Sequence, residues 1–135
     1  MKIIDKDLLD KLTEQAQNSD RLRKNYNLHR SLNDHVQRLL NALEPGTELP
    51  VHRHLHTDET YMLFRGSLNV KLFNDKKELI QTILLDTEKG KYGLSIPAGQ
   101  WHTVDVLEKG TVIFEIKQGP YSPLDPDDIL DVEEM

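Results

Sequence analysis

Short apolar runs separated by turn residues occupy the chain from Arg38 onward and recur roughly every eight to twelve positions. Within the run SLNVKLF, the apolar residues Leu68, Val70 and Leu72 alternate with polar ones, as in a strand with one buried face. Lys-Gly and Pro-Gly pairs mark several of the corners between runs. This pattern is typical of β-sandwiches and barrels, and it predicts an all-β fold for most of the chain.

The N-terminal part of the chain has a different pattern. We predict an amphipathic helix from Asp5, a suitable N-cap, to about Gln17. Its apolar stripe recurs at steps of three and four residues and consists of Leu8, Leu9, Leu12 and Ala16. The segment that follows is polar, rich in Asn and without clear periodicity, so we interpret it as a connection with short turns.

The length of 135 residues fits one domain of ordinary size. We divide the chain into an N-terminal helix with a polar connecting segment (1–37), a barrel (38–120) and an acidic C-terminal tail (121–135). The tail ends in DPDDILDVEEM, which contains no basic residue, and we expect it to be solvated and partly frayed.

The composition argues against several classes of function. The net charge is -6 and no segment is dense in Lys or Arg, so we expect no nucleic-acid partner. No apolar run approaches the roughly 20 residues of a membrane helix, and the N-terminus lacks the apolar core of a signal peptide. We therefore expect a cytoplasmic protein with no membrane partner. Because the chain has no Cys, any metal must be held by nitrogen and oxygen atoms.

The segment HRHLHTDE contains three of the six histidines of the chain, at alternating positions. On a strand, His52 and His54 share a face with their Cα atoms roughly 6.6 Å apart, so both imidazoles can reach one ion. A turn after His56 can bring the carboxylate of Glu59 back to the same ion. His56 has the same parity as the other two histidines, and whether it is a ligand or only a neighbour of the site stays open.

His102 is the fourth candidate ligand, although it lies far along the chain in the segment PAGQWH. Pro97 and Gly99 predict a tight corner that delivers His102 to the start of a strand, where it points inward if the barrel closes. Three imidazoles and one carboxylate suit a divalent transition metal, whether Fe, Mn, Co, Ni or Zn. The ligand set does not choose among these metals.

Both segments resemble sequence motifs of the cupin superfamily. The spacing of glycines, histidines and glutamate in GTELPVHRHLHTDETYMLFRG matches the first cupin motif at every fixed position, and PAGQWH resembles the core of the second. The resemblance implies a double-stranded β-helix, which is a small jelly-roll-like barrel, and a homodimer. It also implies that the metal ligands are His52, His54, Glu59 and His102.

A narrower resemblance extends beyond the two motifs. The strings QRLLNALEPGTELPVHRH and EIKQGPY are similar to those of the WbuC-like cupin metalloproteins, a group associated with bacterial surface-polysaccharide gene clusters. This resemblance implies a setting in polysaccharide biosynthesis.

The leading functional hypothesis is an enzyme that acts on a small polar, carbohydrate-like substrate through the metal centre. Isomerisation, decarboxylation and oxygenation are all compatible with it. Tyr61 shares the parity of Glu59, and His29 lies in the polar segment before the barrel, so both are candidate proton carriers. The competing interpretations are a core tyrosine and a surface histidine. The alternative function is a non-catalytic cupin that binds a small ligand through its metal, and metal-independent sugar epimerisation is a third hypothesis.

Overall fold

Two facing antiparallel sheets form the body of the protein. The computed structural model describes residues 1–132 of the chain. In this part of the chain the helix and the strands have the bounds α1 Lys6–Gln17, β1 Arg23–Asn27, β2 Val36–Leu43, β3 Val51–His52, β4 Glu59–Arg65, β5 Ser67–Phe73, β6 Leu79–Asp86, β7 Gly93–Ile96, β8 Trp101–Val106, β9 Thr111–Gln118 and β10 Ile129–Leu130. One sheet has the strand order β1-β2-β9-β4-β7 and the other β10-β3-β8-β5-β6. The predicted all-β architecture is confirmed.

The main hydrophobic core lies between the two sheets. Alternate residues of each strand face it, so Leu63 on β4 and Ile113 on β9 are buried there. The buried members of this core are Leu43, Tyr61, Leu63, Leu68, Val70, Leu85, Ile96, Val104, Val106 and Ile113. Leu68 and Val70 have no exposed surface, and burying a side chain of this kind contributes about 1.5–3 kcal/mol.

Helix α1 packs on the outer face of the first sheet. Asp5 begins the helix as its N-cap, because its side chain accepts a hydrogen bond of 3.0 Å from the N–H of Leu8. Leu12 and Ala16 are fully buried against Leu40 on β2. The predicted helix and its apolar stripe are therefore confirmed. Among the described residues, no helix has the length and apolar character needed to cross a membrane.

Two segments differ from the sequence prediction. The polar connecting segment contains β1, which pairs with β2 and lies at the edge of its sheet. Our interpretation that this segment contains only turns was wrong. An edge strand is held by backbone hydrogen bonds, so it needs no alternation of apolar residues that the sequence would reveal. The acidic tail contains β10, where Ile129 pairs with His52 on β3, so it is not a frayed segment at this point. Residues 133–135 of the predicted tail lie outside the described residues, and the three boundaries stay predictions.

Gly66 joins β4 to β5 in a position that requires glycine. Its φ is 85°, in the left-handed region, and a Cβ atom there would collide with the backbone and side chain of Thr111. This close approach lets the N–H of Ser67 donate a hydrogen bond of 3.2 Å to the hydroxyl of Thr111. The glycine at the end of the first motif therefore lets the corner between β4 and β5 pack directly against the start of β9.

Candidate metal centre

Three imidazoles and one carboxylate meet where β4 begins. His52 ends β3, His54 lies in the loop that follows, Glu59 begins β4, and His102 lies on β8. One donor atom from each of the four side chains lies within 4.8 Å of the other three. The structure therefore brings together all four residues that were predicted as ligands.

Pairing between distant strands places these side chains. His52 on β3 is the direct partner of His102 on β8, and their ring centroids lie 4.4 Å apart. Glu59 comes from the opposite sheet, and its two carboxylate oxygens lie 3.2 Å from Nε2 of His102 and 3.3 Å from Nε2 of His54. Because β3 ends at His52, His54 reaches the cluster from a loop rather than from the predicted strand.

Backbone carbonyls orient two of the imidazoles. Nδ1 of His52 lies 2.9 Å from the carbonyl oxygen of Pro50, and Nδ1 of His102 lies 2.9 Å from that of Gln100. Because a carbonyl oxygen only accepts hydrogen bonds, Nδ1 is the donor in both pairs. A neutral ring then presents an unprotonated Nε2 to the cluster, which is the usual orientation of histidines that bind metal.

The donor set fits a divalent cation. With Nδ1 as the donor, a neutral His102 ring places the lone pair of Nε2 3.2 Å from a carboxylate oxygen of Glu59, and both of these atoms are then acceptors. Two acceptors this close repel each other unless a cation lies between them, either a metal ion or a proton that joins Nε2 to the carboxylate. Only 1% of His102 and 3% of Glu59 is exposed, so water screens this repulsion poorly.

The protonation states of the cluster also suit a metal. Burial, together with the proximity of His102, lowers the pKa of His52 to about 4. Burial by itself raises the pKa of Glu59, but the contacts with His102 and His54 outweigh this effect and hold the pKa well below its usual value. Near neutral pH, His52 therefore has a free lone pair and Glu59 a negative charge, as metal ligands must.

Tyr61 lies on the same face of β4 as Glu59, as its parity predicted. Its hydroxyl is 3.4 Å from Nε2 of His102, and only 4% of the residue is exposed. Burial raises the pKa of Tyr61 well above its usual value, and the charge of Glu59 adds to the shift. The hydroxyl is therefore protonated and points toward the cluster, while its role as a proton carrier stays a prediction.

His29 is not brought to the cluster. It is buried, and its Nδ1 lies 3.1 Å from the N–H of Arg38, which donates to it. The N–H of Leu28 donates to the carbonyl oxygen of Arg38, which places this segment beside β2. Strands β2 and β9 lie between this segment and β4, so the segment is about 14 Å from β4 along the sheet. This placement does not favour proton transfer by His29, and that role stays a prediction.

Two charged residues of β9, Glu115 and Lys117, face the interior beside the cluster and were not among the predicted site residues. Glu115 is the direct partner of Tyr61, and Lys117 is the direct partner of Glu59. Burial and the charge of Glu59 together raise the pKa of Glu115 to about 8. The segment TVIFEIKQ could have indicated this placement. Side chains on a strand alternate between faces, so Glu115 and Lys117 share the face of the apolar Ile113.

A cavity of about 320 Å³ lies next to the cluster. Its walls are the loop from His54 to Thr57, the side chain of Lys117, and the C-terminal segment around Tyr121. His56 is exposed and lines this cavity, but it lies outside the group of four donors. A volume of this size is enough for a small polar molecule.

The sequence of the chain matches a protein family over more than half of its length. Residues 4–85 match the family described as "Domain of unknown function (DUF6016)". The chain belongs to this family. No curated protein matches the chain significantly.

Solved structures establish the fold of this DUF6016 member. It is similar to the capsular polysaccharide assembling protein CapF of Staphylococcus aureus, with a TM-score of 0.64 and 20% identity over 86% of this chain and 31% of CapF. It is also similar to the cupin domain of Cnp3 from Schizosaccharomyces pombe, with a TM-score of 0.57 and 13% identity over 71% and 64% of the two chains. A cupin-2 domain protein from Shewanella frigidimarina has a TM-score of 0.54 and 24% identity over 71% and 80%.

These similarities show that the fold is the cupin fold, so the predicted double-stranded β-helix is confirmed. The chain spans only about a third of the length of CapF. The narrower resemblance to the WbuC-like group stays a prediction.

Proposed function

We propose that this protein is a metal-dependent enzyme that acts on a small polar, carbohydrate-like substrate. The metal ligands are His52, His54, Glu59 and His102. The observation that carries the proposal is the convergence of these four donor atoms within 4.8 Å. Fe, Mn, Co, Ni and Zn all accept three imidazoles and one carboxylate. When bound, such an ion supplies Lewis-acid polarisation of a carbonyl or hydroxyl oxygen.

The side chains of the barrel supply the other requirements of catalysis. Burial of Glu59 and His102 keeps bulk water away from the inner side of the site. Tyr61 holds its proton near His102 and is the candidate donor to a substrate oxygen. Glu115, the cross-strand partner of Tyr61, also retains a proton near neutral pH because its pKa is about 8. Isomerisation, decarboxylation and oxygenation all remain compatible with these groups.

The similarity to CapF, a capsular polysaccharide assembling protein, supports a carbohydrate-like substrate and a setting in polysaccharide biosynthesis. The proposal also includes a cytoplasmic homodimer without nucleic-acid or membrane partners. The net charge of -6 supports the absence of a nucleic-acid partner.

A second candidate function is non-catalytic binding of a small ligand through the metal. It is favoured by the long contact of 3.4 Å between Tyr61 and His102 and by the distance of His29 from the cluster. A binding protein needs no proton carrier, so Tyr61→Phe separates the two functions. If turnover of an identified substrate falls at least tenfold while its affinity is unchanged, the protein is an enzyme with Tyr61 as the proton carrier. Unchanged turnover contradicts the role of Tyr61, and binding without any turnover supports the second function.

Elemental analysis of the purified, untagged protein tests the metal centre. We expect about one transition metal ion per chain, and loss of that ion in His52→Ala and in His102→Ala. His56→Ala is the matched control, because His56 lines the cavity but lies outside the four donors. Absence of metal from the native protein, or its retention in both ligand variants, would contradict the proposed centre. Loss of metal in the control would show that His56 is a ligand.

A further inference from the structure

The cavity beside the cluster is open to a ligand that also reaches the metal centre. His54 belongs to the group of four donors and also lines the cavity. A molecule in the cavity therefore lies directly beside the candidate metal position. The volume of about 320 Å³ suits a molecule of monosaccharide size.

Lys117 brings a positive charge into this cavity. On β9 it shares the inner face with Ile113, which is buried in the core, and it is the direct partner of Glu59 on β4. Within residues 1–132, no carboxylate oxygen lies within 4.0 Å of the Lys117 ammonium. The side chain is half-buried rather than free in solvent, so its charge is poorly screened.

Two other charges of the cavity, on Arg53 and Asp128, already neutralise each other. The guanidinium of Arg53 forms an ion pair of 2.9 Å with Asp128. Asp125 accepts a hydrogen bond of 2.9 Å from the N–H of Asp127. Within residues 1–132, Arg53 and Asp128 neutralise each other, whereas Lys117 forms no ion pair with a carboxylate.

We propose that Lys117 binds an oxyanion of the ligand, a carboxylate or a phosphate, while another oxygen of the same ligand reaches the metal position beside His54. The ligand is therefore an acidic polyhydroxylated molecule, such as a uronate or a sugar phosphate, rather than a neutral sugar. This inference rests on the proposed function, because it takes the metal centre as the second attachment point.

Calorimetric titration with three probes of similar size tests the inference. The probes are glucuronate, glucose 6-phosphate and glucose, and each is titrated into protein of measured metal content. In Lys117→Met we expect affinity for at least one anionic probe to fall roughly tenfold or more, since a charge-assisted hydrogen bond is lost. The probe that loses affinity identifies the carboxylate or the phosphate as the recognised group. Glucose binds weakly and equally to all forms.

Three controls make the result specific. Lys24→Met removes an exposed lysine of β1, far from the cavity, and retains native affinity. Lys117→Arg retains the charge and retains most of the affinity. Metal content is unchanged in each variant, because Lys117 is not one of the four donors.

The inference is overturned if both anionic probes bind Lys117→Met as tightly as they bind the native protein. It is also overturned if neither anionic probe binds the native protein more tightly than glucose does. Native protein without metal contradicts the proposed function instead. The same titrations on the metal-free protein then decide the role of Lys117, with a tenfold loss in Lys117→Met supporting it and no loss contradicting it.

Discussion

The interior of the barrel changes character along the same two strands. At one end the inner face carries Glu59 and Tyr61 on β4 and Lys117 on β9, whereas at the other end it carries Leu63 and Ile113. The backbone pairing between β4 and β9 continues through both ends. One continuous pair of strands therefore carries both a polar and an apolar part of the interior. The apolar end stabilises the fold and the polar end forms the candidate site.

The two ends also have opposite energetic effects. Burial of apolar side chains is favourable, whereas burial of a charge costs free energy unless a partner compensates it. The pKa of Glu115 is raised to about 8 because burial disfavours its charged form. We expect the apolar end to offset this cost, so that variants at the two ends change stability and function separately.

The largest expected effect is at the apolar end. Leu68→Ala removes a side chain with no exposed surface and leaves a cavity, so the free energy of unfolding falls by about 2–5 kcal/mol. The metal content of the folded protein stays unchanged. Urea unfolding and elemental analysis measure these two quantities. Loss of metal from protein that remains folded would show that the two ends are not separable.

At the polar end, Glu115→Gln removes a dependence of stability on pH. The pKa of Glu115 is about 8 in the folded protein and about 4.5 ordinarily, so the unfolded chain loses this proton first as the pH rises. In metal-free protein, the free energy of unfolding therefore falls by roughly a few kcal/mol through Glu115 as the pH rises from about 4.5 to about 8. Glu115→Gln lacks this contribution, and its stability relative to the native protein rises over that interval.

Urea unfolding of chelator-treated protein at several pH values measures the Glu115 contribution. Glu14→Gln, which changes an exposed helical residue, is the control and follows the native curve. A difference between Glu115→Gln and native protein that stays constant with pH would contradict the burial of a neutral Glu115.

His52→Gln removes a pH dependence of the free energy of unfolding whose sign is opposite to that of Glu115. The pKa of His52 is about 4 in the folded protein and 6.5 ordinarily, so the unfolded chain takes up a proton first as the pH falls. His52 therefore contributes a loss of stability of about 3 kcal/mol in metal-free protein as the pH falls from about 6.5 to about 4. In urea unfolding of metal-free protein, the free energy of unfolding of His52→Gln does not show this fall at acidic pH. The control His35→Gln changes an exposed residue and follows the native curve. Equal acid sensitivity in both variants would rule out this contribution from His52.

The smallest expected effect concerns the C-terminal segment beside the polar end. Arg53 pairs with Asp128 at 2.9 Å and lies 4.3 Å from the centre of the Trp101 ring. Arg53→Met lowers the free energy of unfolding by about 1 kcal/mol, because this pair is half-buried. Lys6→Met breaks the exposed pair with Asp10 and has almost no effect. Equal effects in the two variants would show that burial does not strengthen the Arg53 pair.

Much of the fold and the four candidate ligands follow from local sequence. The alternation of Leu68, Val70 and Leu72 and the spacing around Asp5 are local patterns, and the observed strand and helix agree with them. The spacing of the histidines and Glu59 is typical of a cupin motif, so the ligand set was predictable through that resemblance. Strand β1 and strand β10 were not predicted, because each lies at a sheet edge and is held by backbone pairing without a clear apolar alternation of its own.

The sequence by itself determined the class of fold, the helix and the chemical nature of the candidate site, because residue periodicity and ligand spacing are properties of neighbouring residues. Only the tertiary structure decided that Glu115 and Lys117 lie beside the cluster and that His29 lies away from it. It also decided that the C-terminal segment lines the cavity. The physical reason is that these placements depend on which strands pair across the sheet, and local periodicity carries no information about the pairing partner.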